Sequence, residues 1–210
     1  RNNVCINPKP PRGWTYCPDP IFPQSWQGTT PRRLWDKGSW IIGTAARLSP
    51  VKGLKYLIRA VSYLHEWGFP DVRLHLLLAQ PRAQAEGLEL TREEVEAWCH
   101  KDLPQGTWHV GYERDVRPWL AGWNQAVCAS VSEGLPLLAL DAALAKVPLI
   151  GTEVGYLSSF MGQGRRGWQV PPRDSVQLAR VLAEARQNPR ASRGRVRRAE
   201  RHVRQHHDLE

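Results

Sequence analysis

From residue 40 onward the chain alternates short apolar runs with longer segments of helical periodicity. The run at 40–45 reads as a buried strand. Lys52-Gly53 then opens a helix carrying Leu54, Leu57, Ile58, Val61 and Leu64 at helical spacing, stopped at Gly68. Further strands are expected at 72–78, 108–111, 126–129, 147–151 and 167–170. Helices are expected at 116–123, 136–145 and 174–186, and one follows Pro189. Thr91-Arg92-Glu93-Glu94 has the form of a capping box for a helix running to about residue 100. Strands alternating with helices imply βαβ units, which join parallel strands by right-handed crossovers. The expected fold class is α/β, a doubly wound Rossmann-like parallel sheet with helices on both faces.

Residues 1–39 have another character. Pro8, Pro10, Pro11, Pro18, Pro20, Pro23 and Pro31 block helix interiors and central strands. This segment reads as an irregular arm, or a linker from a preceding domain, with Trp14, Trp26 and Trp35 packing it onto the body. The domains expected are therefore an arm at 1–39, a Rossmann-like body at 40–188 and a basic helix at 189–210. The chain begins at Arg1 and its only methionine is Met161, so it is expected to be part of a longer protein. Leu209-Glu210 can be read as a natural ending or as a vector scar.

With 41% apolar residues in 210, the chain can build a sizeable core without disulfides. That excludes a disordered or collagen-like chain. No apolar run reaches the roughly 18–20 residues of a membrane span, and no basic-then-apolar leader is visible. Cys5, Cys17, Cys99 and Cys128 form no CxxC pair, and the seven histidines match no ligand pattern, so no metal site is expected. Cys99-His100 has no third catalytic partner nearby and reads as a helix pair. A reduced, cytoplasmic setting is the simplest expectation.

Two turns carry candidate chemistry. In a doubly wound sheet, ligands bind beyond the carboxyl ends of the strands. Arg47 and Lys52 stand five positions apart between a strand and a helix, beside free backbone N–H groups. A guanidinium fork and an ammonium suit phosphate oxygens, and a diphosphate is the natural guest. The second turn runs Ser132-Glu133-Gly134-Leu135-Pro136 into a helix containing Asp141. A carboxylate can hold a vicinal diol such as a ribose. Asp141 lies among leucines and alanines, so its charge needs a partner. The simpler alternative is a surface turn with ordinary charged residues.

These residues occur in a telling order. Ala46-Arg47-Leu48 and Lys52-Gly53 come first, then Val110-Gly111-Tyr112, then Ser132 to Pro136 and Asp141-Ala142-Ala143. Val147-Pro148-Leu149-Ile150 and Val154-Gly155 close the series. The order resembles the C-terminal, donor-binding half of a group 1 (family 4) retaining glycosyltransferase of the GT-B fold, over about residues 40–206. The resemblance implies that Arg47 and Lys52 clasp the donor diphosphate, with the N–H groups after Gly134 and Leu135. It places Glu133 near the transferred sugar as the catalytic residue, and Asp141 on the ribose hydroxyls. It implies a UDP-, GDP- or ADP-linked sugar as substrate, no cofactor, no metal, retention of configuration, and an N-terminal domain supplying the acceptor. Four departures stand out: Asp141 in place of Glu, Lys146 in place of Gly, Gly155-Tyr156-Leu157-Ser158, and Ala79-Gln80-Pro81 without the usual glycines. They motivate the alternative of a degenerate, non-catalytic binding or assembly module.

The net charge of +9 is uneven. From Arg186 onward there are eight arginines against Glu200, Asp208 and Glu210, a net +5 that leaves +4 for the first 185 residues. On a helix, Arg193, Arg195, Arg197, Arg198, Arg201 and Arg204 cover most of the circumference, leaving a thin stripe of Val196, Ala199 and Val203. Such a segment suits a solvated face, or peripheral attachment to an anionic membrane on its inner side. No nucleic-acid motif is present, so nucleic acid is not an expected partner.

Overall fold

The computed structural model describes Trp26 and residues 28–79, 90–134 and 136–207. Leu135, Gln80, Pro81, Trp14, Cys5, Cys17 and most of the arm lie outside the described residues. Six parallel strands form one sheet in the order β3-β2-β1-β4-β5-β6. They are β1 (Trp40–Arg47), β2 (Val72–Ala79), β3 (Trp108–Gly111), β4 (Gln125–Cys128), β5 (Leu149–Thr152) and β6 (Trp168–Val170). β1 and β2 pair along their whole length, from Trp40 opposite Val72 to Arg47 opposite Ala79.

Among the described residues there are seven α-helices, five between strands and two after β6: α1 (Leu54–Glu66), α2 (Arg92–Asp102), α3 (Arg117–Gly122), α4 (Leu137–Leu144), α5 (Gly155–Met161), α6 (Ser175–Gln187) and α7 (Pro189–His206). Successive side chains of β1 enter opposite layers. Ile42 joins Leu57, Val61, Val95 and Leu182 of α1, α2 and α6. Ile41 joins Leu120, Leu140, Phe160 and Val203 of α3, α4, α5 and α7. A sheet covered on both faces needs apolar side chains at every strand position, which explains the unbroken apolar runs.

The helix starts follow local chemistry. Thr91 and Glu94 complete the capping box at α2, and Asp174 accepts from the Gln177 N–H at α6. α5 was not expected. It is seven residues long and begins at a glycine, so it carries little periodicity. Residues 28–39 form only turns and bends before β1. They are fastened by Arg32 N–H to the Pro118 carbonyl at 2.8 Å and by the Trp35 indole to the Gly106 carbonyl at 3.1 Å. Trp26 and Trp35 pack against the second layer. Trp35, Trp119 and Trp123 surround His75, whose Nδ1 accepts from the Trp123 indole at 3.0 Å. Burial holds His75 down at about 3, so this ring is neutral.

Cys99 and Cys128 are buried free thiols pushed up to about 12, chiefly by desolvation. The His100 ring lies edge-on to Trp108. Neither thiol is poised as a nucleophile. None of the described helices is long and apolar enough to cross a membrane.

Candidate functional site

The sheet order reverses between β1 and β4, so the loops leaving these two strands diverge and open a crevice. A cleft of about 390 Å³ lies there. Arg47, at the end of β1, Lys52, in the turn before α1, and Glu133, in the turn after β4, all line it. Residues separated by more than 80 positions in sequence are thus brought to one site.

The local backbone explains how. Pro50–Lys52 form a single 3₁₀ turn that ends at Gly53 in the left-handed region, φ +65°. A Cβ at Gly53 would stand 2.0 Å from the Ala129 carbonyl oxygen. Glycine therefore lets the first loop press against β4. The Val131 N–H donates to the Val51 carbonyl at 2.7 Å and ties the two loops together. Lys52 Nζ donates to Glu133 Oε2, and both side chains are largely buried. Ser130 Oγ donates to the same oxygen at 3.0 Å. The Thr152 hydroxyl donates to the Ser130 carbonyl at 2.6 Å and so anchors that turn from β5. Arg47 is exposed at the rim.

Other expected residues lie elsewhere. Gly134 does not line the cleft; its carbonyl accepts from the Leu157 N–H at 3.1 Å. Asp141 also lies off the lining, one helical turn beyond Leu137 and Leu138, which do line it. Burial holds the Asp141 carboxyl up at about 6, while a hydrogen bond from the Trp26 side chain and the Arg117 charge pull it down. Arg117 is engaged with Asp115 through Nε at 2.8 Å and Nη2 at 2.9 Å. The partner that Asp141 requires therefore comes partly from the arm.

The sequence reading quoted Tyr112 in its motif series without giving it a role, and did not single out Glu113 or Ser130. Tyr112 and Glu113 follow β3 at the same carboxyl edge and line the cleft; the Tyr112 ring is 64% exposed. Their place directly after a strand was the available signal. Ser130 had none, because its role depends on a turn whose shape is set by Thr152.

Strand order, parallel sense and a cleft at the reversal define a Rossmann-like α/β domain. The family model for group 1 glycosyl transferases matches residues 39–188, and the chain belongs to this family. It is 31% identical over 160 residues to the D-inositol 3-phosphate glycosyltransferase of Arthrobacter sp. (strain FB24), which covers 74% of this chain and 36% of that protein. The chain thus spans about a third of the length of the curated relatives it matches. Among solved structures, the C-terminal domain of the group 1 glycosyl transferase LpcC from Francisella tularensis superposes with a TM-score of 0.69 at 21% identity. The match covers 91% of this chain and 96% of that one. HepE from Anabaena in complex with UDP gives a TM-score of 0.71 at 18% identity, over 81% of this chain and 45% of that one. The fold is that of the C-terminal, Rossmann-like half of a GT-B glycosyltransferase.

Proposed function

We propose that this domain binds a nucleotide-diphosphate sugar and supports glycosyl transfer with retention, without a metal, once a preceding domain supplies the acceptor. The observation that carries this reading is the convergence of Arg47, Lys52 and Glu133 on one cleft at the topological switch point. Solved relatives lend support: HepE is described in complex with UDP and with UDP-glucose.

The chemistry follows from the charges. Breaking the bond between sugar and diphosphate leaves negative charge on the departing oxygen. Arg47 at the rim and Lys52 deeper in the cleft are placed to receive it, which is electrostatic stabilisation of the leaving group. Two fixed cations perform the neutralising role that a divalent ion performs in other transferases. Lys52 is paired with Glu133. Diphosphate binding would draw the ammonium away and leave Glu133, still held by Ser130, facing the sugar.

Titration of the chain with UDP-, GDP- and ADP-sugars by calorimetry tests the reading. Saturable binding to one donor, lost in the Arg47→Ala/Lys52→Ala double variant, is the expected outcome. The isolated chain should bind donor yet transfer poorly, because it lacks acceptor-side groups. If the folded chain binds none of the three, alone or joined to an acceptor domain, the donor-site reading fails.

One observation favours a second reading, a non-catalytic binding or assembly module. Asp141 stands off the cleft lining and is engaged by Trp26 and Arg117. Donor binding with no transfer after joining to an acceptor domain would select this reading.

A further inference from the structure

The arginine-rich C-terminal helix is ordered by its neighbours. Ser192, Val196, Ala199 and Val203 are buried, and α7 packs against α4 and α6. Two of its arginines are tied to the body, Arg195 partly buried and Arg198 exposed but engaged through its Nε. The Arg195 guanidinium lies 3.7 Å from the centre of the Trp168 ring, and Arg198 Nε donates to the Arg165 carbonyl at 2.6 Å. The arginines therefore do not cover the circumference.

Five other arginines form a line. Arg190, Arg193, Arg197, Arg201 and Arg204 are all exposed. Their spacings of three, four, four and three residues place them within about 80° of one another around the helix. The line is about 21 Å long, at 1.5 Å per residue. Arg204 is paired with Glu200, which also faces Lys146 at 3.6 Å. Arg190, Arg193, Arg197 and Arg201 form no ion pair among the described residues. Four neighbouring like charges with no counter-charge repel one another, and an anionic partner would relieve that repulsion.

We propose that the arginine line of α7 is a docking face for an anionic lipid surface. It would hold the protein peripherally at the bilayer by charge alone. The shape selects this partner. The line runs along a convex ridge, and a plane of headgroups can meet a straight ridge along its whole length. A nucleic acid duplex presents its charge on another convex surface. To enter a groove a helix must project, whereas the opposite side of α7 is buried against the domain. None of the exposed large apolar residues lies on α7, so neither base stacking nor apolar insertion is available there.

The test is sedimentation of the 210-residue chain with vesicles of phosphatidylcholine alone or with roughly 30% phosphatidylglycerol. The expected result is binding to the anionic vesicles only, abolished near 0.5 M salt, where charges are screened beyond about 4 Å. Each arginine is worth roughly fivefold in partitioning. Replacing all five with Gln should therefore weaken binding on the order of 1,000-fold. A charge-matched variant with Lys37, Lys55, Lys101, Arg114 and Arg173 changed to Gln should lose far less. Circular dichroism of both variants, and their donor binding, separates loss of docking from loss of fold. The proposal is overturned if wild-type protein ignores anionic vesicles, if both variants weaken equally, or if duplex RNA binds the same line more tightly than the vesicles do.

Discussion

Burial raises the Asp141 carboxyl to about 6 in the folded protein, against about 3.9 for an unfolded aspartate. Between these values the folded state binds more protons than the unfolded state, so stability falls as pH rises through about 4 to 6. The gap amounts to roughly 3 kcal/mol. Asp141→Asn keeps an acceptor for Trp26 but cannot ionise. Urea unfolding at several pH values should show the wild type losing about 3 kcal/mol relative to the variant across that window. Parallel profiles would sink this account. Lys146 presents a second local tension. It adopts φ +59°, a left-handed conformation that a side chain makes costly by about 1 kcal/mol. Its pairing with Glu200 is an exposed contact at 3.6 Å and offsets little of that. Lys146→Gly should raise stability by about 0.5–1 kcal/mol in the same assay. The residue types at both positions were legible in the sequence: an acid among leucines, and a lysine where the family resemblance implies a glycine. Their surroundings were not, because Trp26 reaches Asp141 across more than 100 residues of chain.

At the scale of elements, the sheet and most helices could be read from periodicity because buried parallel strands are apolar throughout and α1 has a clean apolar stripe. α5 escaped because its start depends on a tertiary contact. Gly155 sits at φ +47°, and a Cβ there would lie 1.7 Å from the Glu133 carbonyl oxygen. The first turn of α5 and the Glu133 turn thus share one space. Gly155→Ala must displace one of them. The expected cost is about 2 kcal/mol or more, from left-handed strain and from the clash. Donor affinity should fall with it, because the displaced turn carries Glu133. Denaturant melts paired with calorimetry check both; a stable variant with unchanged donor affinity would disprove the link. The arrangement of α7 was only half legible. Composition announced the arginines, but which of them engage the body depended on Trp168 and Arg165.

For the whole molecule, the strand order matters more than any single contact. It brings the ends of β1 and β4 together at the reversal, and with them Arg47, Lys52 and Glu133. The cleft and the arginine line serve different partners in our reading, so vesicle binding and donor binding should respond to separate sets of variants. The pairing of Lys52 with Glu133 has a kinetic consequence. The ionic side chains lining the cleft are Arg47, Lys52, Glu113 and Glu133, two of each sign. These four charges cancel, so the long-range pull on an approaching anion comes from the chain's net +9 rather than from the cleft. Any salt dependence of donor association in stopped-flow should therefore follow the net charge of the chain rather than the cleft cations. The cations would act late, after contact, by prolonging residence rather than hastening arrival.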